Sequence, residues 1–227
     1  MKVSGYFNYF IFLLKNWDLK IALFVIYYEM IGEKKYHLST IGIDDLKSME
    51  DETVDVSHAT MYMPLNYFVL DNLMKQVIKF PGNKTFLDIG CGKGRAISVA
   101  AYYGFEKIIG IDFSQELCDD AINNINRIKD KFYAATVFTV INADAFEYDI
   151  PDDITTIFLF NPFDKVITYG VVENIMASFK NNPRTIRILY ANPQYKALFF
   201  DEGFVEIYHV KKFEYLEASI LEKKVKM

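Results

Sequence analysis

Four side chains stand where a chain of alternating strands and helices could gather them at one edge. Asp88 precedes Gly90, Gly92 and Gly94 in TFLDIGCGKGR, Asp112 closes IIGID, Asp144 lies in NADAF, and Asn161 opens NPF. A backbone without Cβ can turn sharply and let a ligand lie against it, next to the positive end of a following helix. A carboxylate about 20 residues further on can accept both hydrogen bonds from a ribose diol. An acceptor such as Asp144, after the third strand, could receive a proton from the exocyclic amine of adenine. The chemistry these residues describe is nucleoside binding. Each also has a plainer reading: Asp112 as a cap for the helix beginning near Ser114, and Asp144 as a loop acid.

The glycine spacing discriminates between loop types. The dinucleotide fingerprint needs a glycine where this chain has Arg95, and the phosphate-binding P-loop needs its lysine and hydroxyl after a longer gap. Neither fits, so NAD binding is not expected.

These residues must be placed by the elements around them. Tyr67, Leu70, Leu73, Met74, Val77 and Ile78 follow at helical spacing after Pro64, which is expected near the first turn, and Pro81-Gly82 ends that helix. A strand TFLDIG, a helix from Lys93 to Tyr103, a strand KIIGID and a helix from Ser114 come next. Strands ATVFTVI and TTIFLF, a helix from about 164 to 179, a strand TIRILY and a short helix after Pro193 complete the alternation. Such strands predict a doubly wound, mostly parallel seven-stranded sheet covered on both faces. The last two strands, around VEIYHV and FEYLEASIL, have no helix between them and are expected to pair as an antiparallel hairpin across Lys211-Lys212.

The domain division expected is an N-terminal helical extension and linker over residues 1–60 and an α/β domain over 61–227. Residues 6–31 hold two apolar stretches broken by Lys15, Asp18 and Lys20, neither long enough to span a membrane. They read as two helices packed on the main domain or on a second subunit, with peripheral membrane contact as the alternative because they are rich in aromatics and carry lysines. The first residues resemble a short signal peptide, but no small-residue cleavage site follows. Residues 32–58, with Asp44, Asp45, Glu50, Asp51, Glu52 and Asp55, look like a connecting segment.

A net charge of −5 gives no overall cationic field, so nucleic acid is a disfavoured partner, although short basic patches are conceivable at Arg184 and Arg187 and in the tail. Cys91 and Cys118 have neither disulfide-framework nor zinc spacing, which suits a reduced, cytoplasmic setting.

TFLDIGCGKGR, IIGIDFS, INADAF and FLFNPF, in this order over residues 84 to 210, resemble the successive motifs of class I S-adenosylmethionine-dependent methyltransferases. His58-x-x-x-Tyr62-x-Pro64 ahead of the glycine motif, with LFNPF and YANP behind it, resembles small bacterial members of that class. The resemblance implies S-adenosylmethionine as cofactor. By it, Asp88, Gly90, Gly92 and Gly94 hold the methionine part, Asp112 the ribose, and Asp144 with Ala145 the adenine. Tyr62 and Pro64 lie over the cofactor, with Cys91, Arg95, Phe113 and Asn161 as further contacts. Asn161-Pro162-Phe163 is similar to the N-P-P-F motif of some amine-methylating enzymes, but the second proline is missing and Asp164 follows. A proline turn shaping the pocket floor is the plainer reading.

The expected reaction is direct methyl displacement to a small-molecule or protein acceptor, with Asn161, Tyr62 and His58 as candidate catalytic residues and no metal ligand set. A base is needed only for a protonated acceptor, and His58 has a suitable ordinary pKa; His37 and His209 have less to recommend them. The alternatives are a protein-lysine methyltransferase and a non-catalytic cofactor-binding or assembly subunit. Homo-oligomerisation through the N-terminal helices is the corresponding structural expectation.

Overall fold

A computed structural model describes residues 3–41, 63–82, 84–132, 136–160 and 163–225. Helices α1 (Val3–Asn16) and α2 (Leu19–Tyr36) form the expected N-terminal pair. Asp18 separates them and caps α2 by accepting from Ile21 N. The helix then runs further than the sequence suggested, into the stretch expected as linker, and His37 ends it in the left-handed conformation with its N–H on the Glu33 carbonyl.

From α3 (Tyr67–Val77) onward the chain alternates β1 (Thr85–Ile89), α4 (Arg95–Tyr102), β2 (Lys107–Asp112), α5 (Gln115–Ile128), β3 (Val137–Asn142) and β4 (Thr156–Phe160). It continues through α6 (Lys165–Asn181), β5 (Ile186–Ala191), α7 (Lys196–Asp201), β6 (Val205–Lys212) and β7 (Leu216–Lys223). The strands form one seven-stranded sheet in the order β3-β2-β1-β4-β5-β7-β6. The first five are parallel, and β7 runs antiparallel to both β5 and β6. This is the expected doubly wound architecture with a C-terminal hairpin.

Alternation along each strand divides the core in two. Phe86, Ile108, Phe158 and Leu189 face α3, α4 and α5, while Leu87, Ile109, Ile157 and Ile188 face α6 and α7. A separate cluster of Tyr9, Leu13, Ile21, Ala22 and Val25 holds α1 to α2.

Pro64 lies just before α3, near its first turn, and Asn66 caps the helix by accepting from Phe68 N. Three local expectations change. The hairpin turns at Phe213–Tyr215, with Lys212 still paired to Leu216. Phe213 takes a positive φ of 54° there. Helix α4 starts at Arg95, after the glycine turn has closed. Arg184 and Arg187 form no cationic patch. Arg184 donates to the carbonyls of Ile154, Ser178 and Asn182, and Arg187 lies buried 2.9 Å from Glu222.

Candidate functional site

The order of β3, β2, β1, β4 and β5 reverses direction between β1 and β4, and the carboxyl ends of these strands border the crevice where ligands bind in open α/β sheets. Asp88 and the glycine turn follow from β1 at this reversal. Gly90 N and Cys91 N both donate to the Ile111 carbonyl, at 2.9 and 2.8 Å, which ties the turn to the end of β2. Gly94 requires its glycine twice over: its φ is +77°, and a Cβ would stand 2.9 Å from Ala121 Cβ on α5. Helix α4 begins there without a side-chain cap.

Asp112, at the end of β2, is buried. Its Oδ2 accepts from Gly92 N at 2.8 Å and its Oδ1 from Ser114 N at 3.0 Å. The helix cap itself is Ser114, whose hydroxyl accepts from Leu117 N. Asp112 therefore holds the turn against β2 and still has acceptor capacity on each oxygen. Burial pushes its carboxyl up to about 6, against the lowering effect of the Ser114 and Gly92 bonds. Asp88 is buried as deeply, and its Oδ1 has no hydrogen-bond partner. Burial first, and the Asp112 charge second, hold its carboxyl well above the usual aspartate range. An orphaned buried acceptor beside a second buried carboxylate fits a ligand that brings donors and positive charge.

The end of β3 is joined to the same edge. Asn142 donates to the carbonyls of Asp112 and Phe113, at 3.1 and 2.7 Å. Asp144 is exposed, accepts from Phe146 N at 2.8 Å, and leads into the buried Ala145. Asp164, which breaks the N-P-P-F resemblance, caps α6 by accepting from Val166 N and Ile167 N.

Arg95 has a different place from the one expected. Its guanidinium is buried among residues of the N-terminal segments: Nε donates to Thr40 Oγ1 at 2.7 Å and Nη1 to the Leu65 carbonyl at 2.5 Å. Its Nη2 lies 2.7 Å from Glu29 Oε2, an ion pair without hydrogen-bond alignment, and 3.4 Å from Glu33 Oε1. The Tyr67 ring stacks at 4.1 Å. Burial opposes the charge on Arg95, but Glu29, Tyr67 and Glu33 outweigh it and hold the guanidinium above its ordinary value. Its side chain thus braces the N-terminal helices against the glycine turn. Sequence reasoning missed the partners Glu29 and Glu33, whose signal was two acids one helical turn apart inside an apolar helix.

A cavity of about 260 Å³ opens beside the carboxyl ends of β4 and β5. Tyr9, Trp17, Ile21, Pro64, Phe160 and Asn192 are among its walls, so Pro64 lines it and Phe160 brings β4 to it. His58, Tyr62 and Asn161 lie outside the described residues. His37 serves as a helix C-cap, and His209 Nδ1 lies 3.2 Å from Ser219 Oγ on the outer hairpin. Cys91 is a free, buried thiol whose pKa is raised, first by burial and then by the Asp88 and Asp112 charges.

Residues 80–214 match the family described as "Methyltransferase domain". The chain belongs to this methyltransferase-domain family. It is 35% identical over 68 residues to a ribosomal protein L11 methyltransferase of Desulfotalea psychrophila, a match covering 30% of this chain and 21% of that protein. The chain thus spans about a fifth of that curated relative's length. Its fold is similar to that of an RNA methyltransferase from Salinibacter ruber in complex with S-adenosyl-L-homocysteine, with TM-score 0.53 and 16% identity over 73% of this chain and 96% of that one. It is also similar to magnesium protoporphyrin IX methyltransferase from Synechocystis PCC 6803 with bound SAH, with TM-score 0.53 and 13% identity over 68% and 80% of the two chains. Among the described residues, no helix is long and apolar enough to cross a membrane.

Proposed function

We propose that this methyltransferase-family protein takes S-adenosylmethionine as methyl donor and methylates a small molecule or a protein side chain by direct displacement. The observation that carries the reading is the pair of buried carboxylates, Asp88 and Asp112, with the Asp88 Oδ1 unpartnered beside the glycine turn. Asp112 would receive the ribose hydroxyls, and Asp88 with Gly90, Gly92 and Gly94 the cationic methionine part. Asp144 and Ala145 would border the adenine. Cys91 and Phe113 contribute backbone and packing next to these groups, and Pro64 walls the adjoining cavity.

Bound S-adenosylmethionine supplies a methyl group on a sulfonium that is already a good leaving group. The protein's own task is then to align the acceptor and exclude water. The 260 Å³ cavity, with its walls from the N-terminal helices and the end of β4, suits that task. Asn161, which follows Phe160 in sequence, is assigned the orientation of the acceptor through its amide, Tyr62 the closing of the site, and His58 the removal of a proton where the acceptor arrives charged. The cavity's described walls include the acids Glu214 and Glu217 and no lysine or arginine, which favours a metabolite or protein side chain over a phosphate-rich acceptor.

Calorimetry with S-adenosylmethionine, its demethylated product and NAD tests the donor; binding of NAD alone reverses the assignment. Labelled-methyl transfer to metabolite, protein and RNA fractions tests the acceptor, and label in RNA overturns its class. Absence of transfer to every fraction, with the cofactor bound, would favour the non-catalytic alternative. Asn161→Ala and Tyr62→Phe are expected to lower single-turnover rate more than cofactor affinity.

A further inference from the structure

Among the described residues, the outer surface of α2 has no partner. Leu19, Leu23, Tyr27, Met30 and Ile31 are each between 43% and 58% exposed. At about 100° per residue they fall within roughly 120° of the helix circumference, so they form one stripe along it. Lys20 and Lys34 lie within the same sector and are exposed. The two acids inside α2, Glu29 and Glu33, are buried on the opposite side against Arg95, so the outward face carries positive charge only.

The stripe continues onto the tip of the β6–β7 hairpin. Lys20 Nζ lies 5.2 Å from the Phe213 ring centroid, Lys212 Nζ 5.3 Å from it, and Phe24 packs edge-on to Phe213 at 5.2 Å. Tyr215 is exposed on the same turn, next to the one acid there, Glu214. An apolar and aromatic face interleaved with lysines suits the boundary between lipid headgroups and acyl chains. Pairing the face on itself would instead set lysine against lysine, with no acid of α2 on that face to neutralise them.

We infer that the outward face of α2, extended by the β6–β7 turn, seats the protein on an anionic lipid bilayer surface without spanning it. Inward, Ile21 and Val25 of the same helix wall the cavity beside β4, so the helix on the lipid is also a wall of the proposed acceptor site.

Sedimentation of the full chain with vesicles tests this. Vesicles of phosphatidylcholine mixed with phosphatidylglycerol should pellet the protein about tenfold or more better than phosphatidylcholine alone, with the difference shrinking in high salt. Leu23→Glu with Tyr27→Glu should abolish pelleting, and Lys20→Glu with Lys34→Glu should remove the preference for anionic lipid. All four positions are exposed, and unchanged thermal unfolding verifies that the variants fold. The inference is overturned if the wild type stays in the supernatant with anionic vesicles, or if the Leu23/Tyr27 variant pellets like wild type. It is equally overturned if light scattering shows a dimer that the Leu23/Tyr27 variant dissolves.

Discussion

Two buried clusters of charge lie on either side of one short glycine turn, and their chemistry is opposite. On one side, Asp88 and Asp112 share a buried site whose described groups include no cation, and one oxygen of Asp88 has no partner. On the other, Arg95 is ringed by Glu29, Glu33, Thr40, Leu65 and Tyr67. A buried ion cluster that contains its own counter-charge acts as a brace, even with Glu29 Oε2 paired by charge alone. A buried acid pair with no described cation beside it lacks that counter-charge, and such perturbed groups in a crevice are candidates for a functional site. The comparison sets a turn-bracing cluster that carries its own counter-charge against an acid pair that has none among the described residues, although Asp88 and Arg95 flank the same glycine turn.

The largest effect should come from breaking the Arg95 cluster. Arg95→Met leaves two buried glutamates without their cation, so unfolding free energy should fall by about 3–5 kcal/mol in denaturant titration. A loss below about 1 kcal/mol would mean that the N-terminal helices are not anchored through Arg95.

The acid pair should respond to pH. Asp112 has a folded-state pKa of about 6, above its unfolded value, so the folded protein binds more protons between those two values. The cofactor-free protein should therefore gain stability as pH falls from 7 towards 4, with Asp112 contributing about 1–1.5 kcal/mol by pH 5 and up to about 3 kcal/mol once pH reaches its unfolded value. Asp88 acts in the same direction. Asp112→Asn cannot titrate and should show a shallower slope; coincident slopes would clear Asp112. Over the same range the stabilisation conferred by S-adenosylmethionine should shrink, because a protonated Asp112 accepts fewer hydrogen bonds.

Asp112→Ala sharpens the comparison from the ligand side. Loss of a charge-assisted hydrogen bond should weaken cofactor binding by about 1.5–3 kcal/mol, read by calorimetry. Unchanged affinity in a folded variant would leave Asp112 as a fastener for Gly92 and nothing more.

The smallest effect is expected at the rim of the brace. Lys35 pairs with Asp71 at 3.0 Å but is half exposed, and Tyr103 also donates to Asp71. Lys35→Ala should cost less than about 1 kcal/mol in the same titration that measures Arg95→Met. A loss comparable to Arg95→Met would erase the distinction between exposed and buried pairs.

Much of the fold was legible because period and punctuation are local. TFLDIG, KIIGID and TIRILY are short apolar runs between helical patterns, and a strand buried on both faces must look that way. The strand-end positions of Asp88 and Asp112 were legible because each stands at or beside the end of an apolar run next to a turn, and strand ends at the order reversal share one crevice. Where the hairpin turns was not legible, since Lys211 and Lys212 are as polar as a turn yet pair in the strand while Phe213 takes the left-handed conformation. Arg95 was misread for a related reason. Its neighbours in sequence are the glycine turn, but its side chain meets Glu29 and Glu33, 66 and 62 residues earlier. The sequence alone determined the order of elements, the acids at their ends and the family motifs, because these follow from near-neighbour pattern and spacing. Only the tertiary structure decided which buried charges are neutralised, because that depends on side chains far apart in the chain converging where water is excluded.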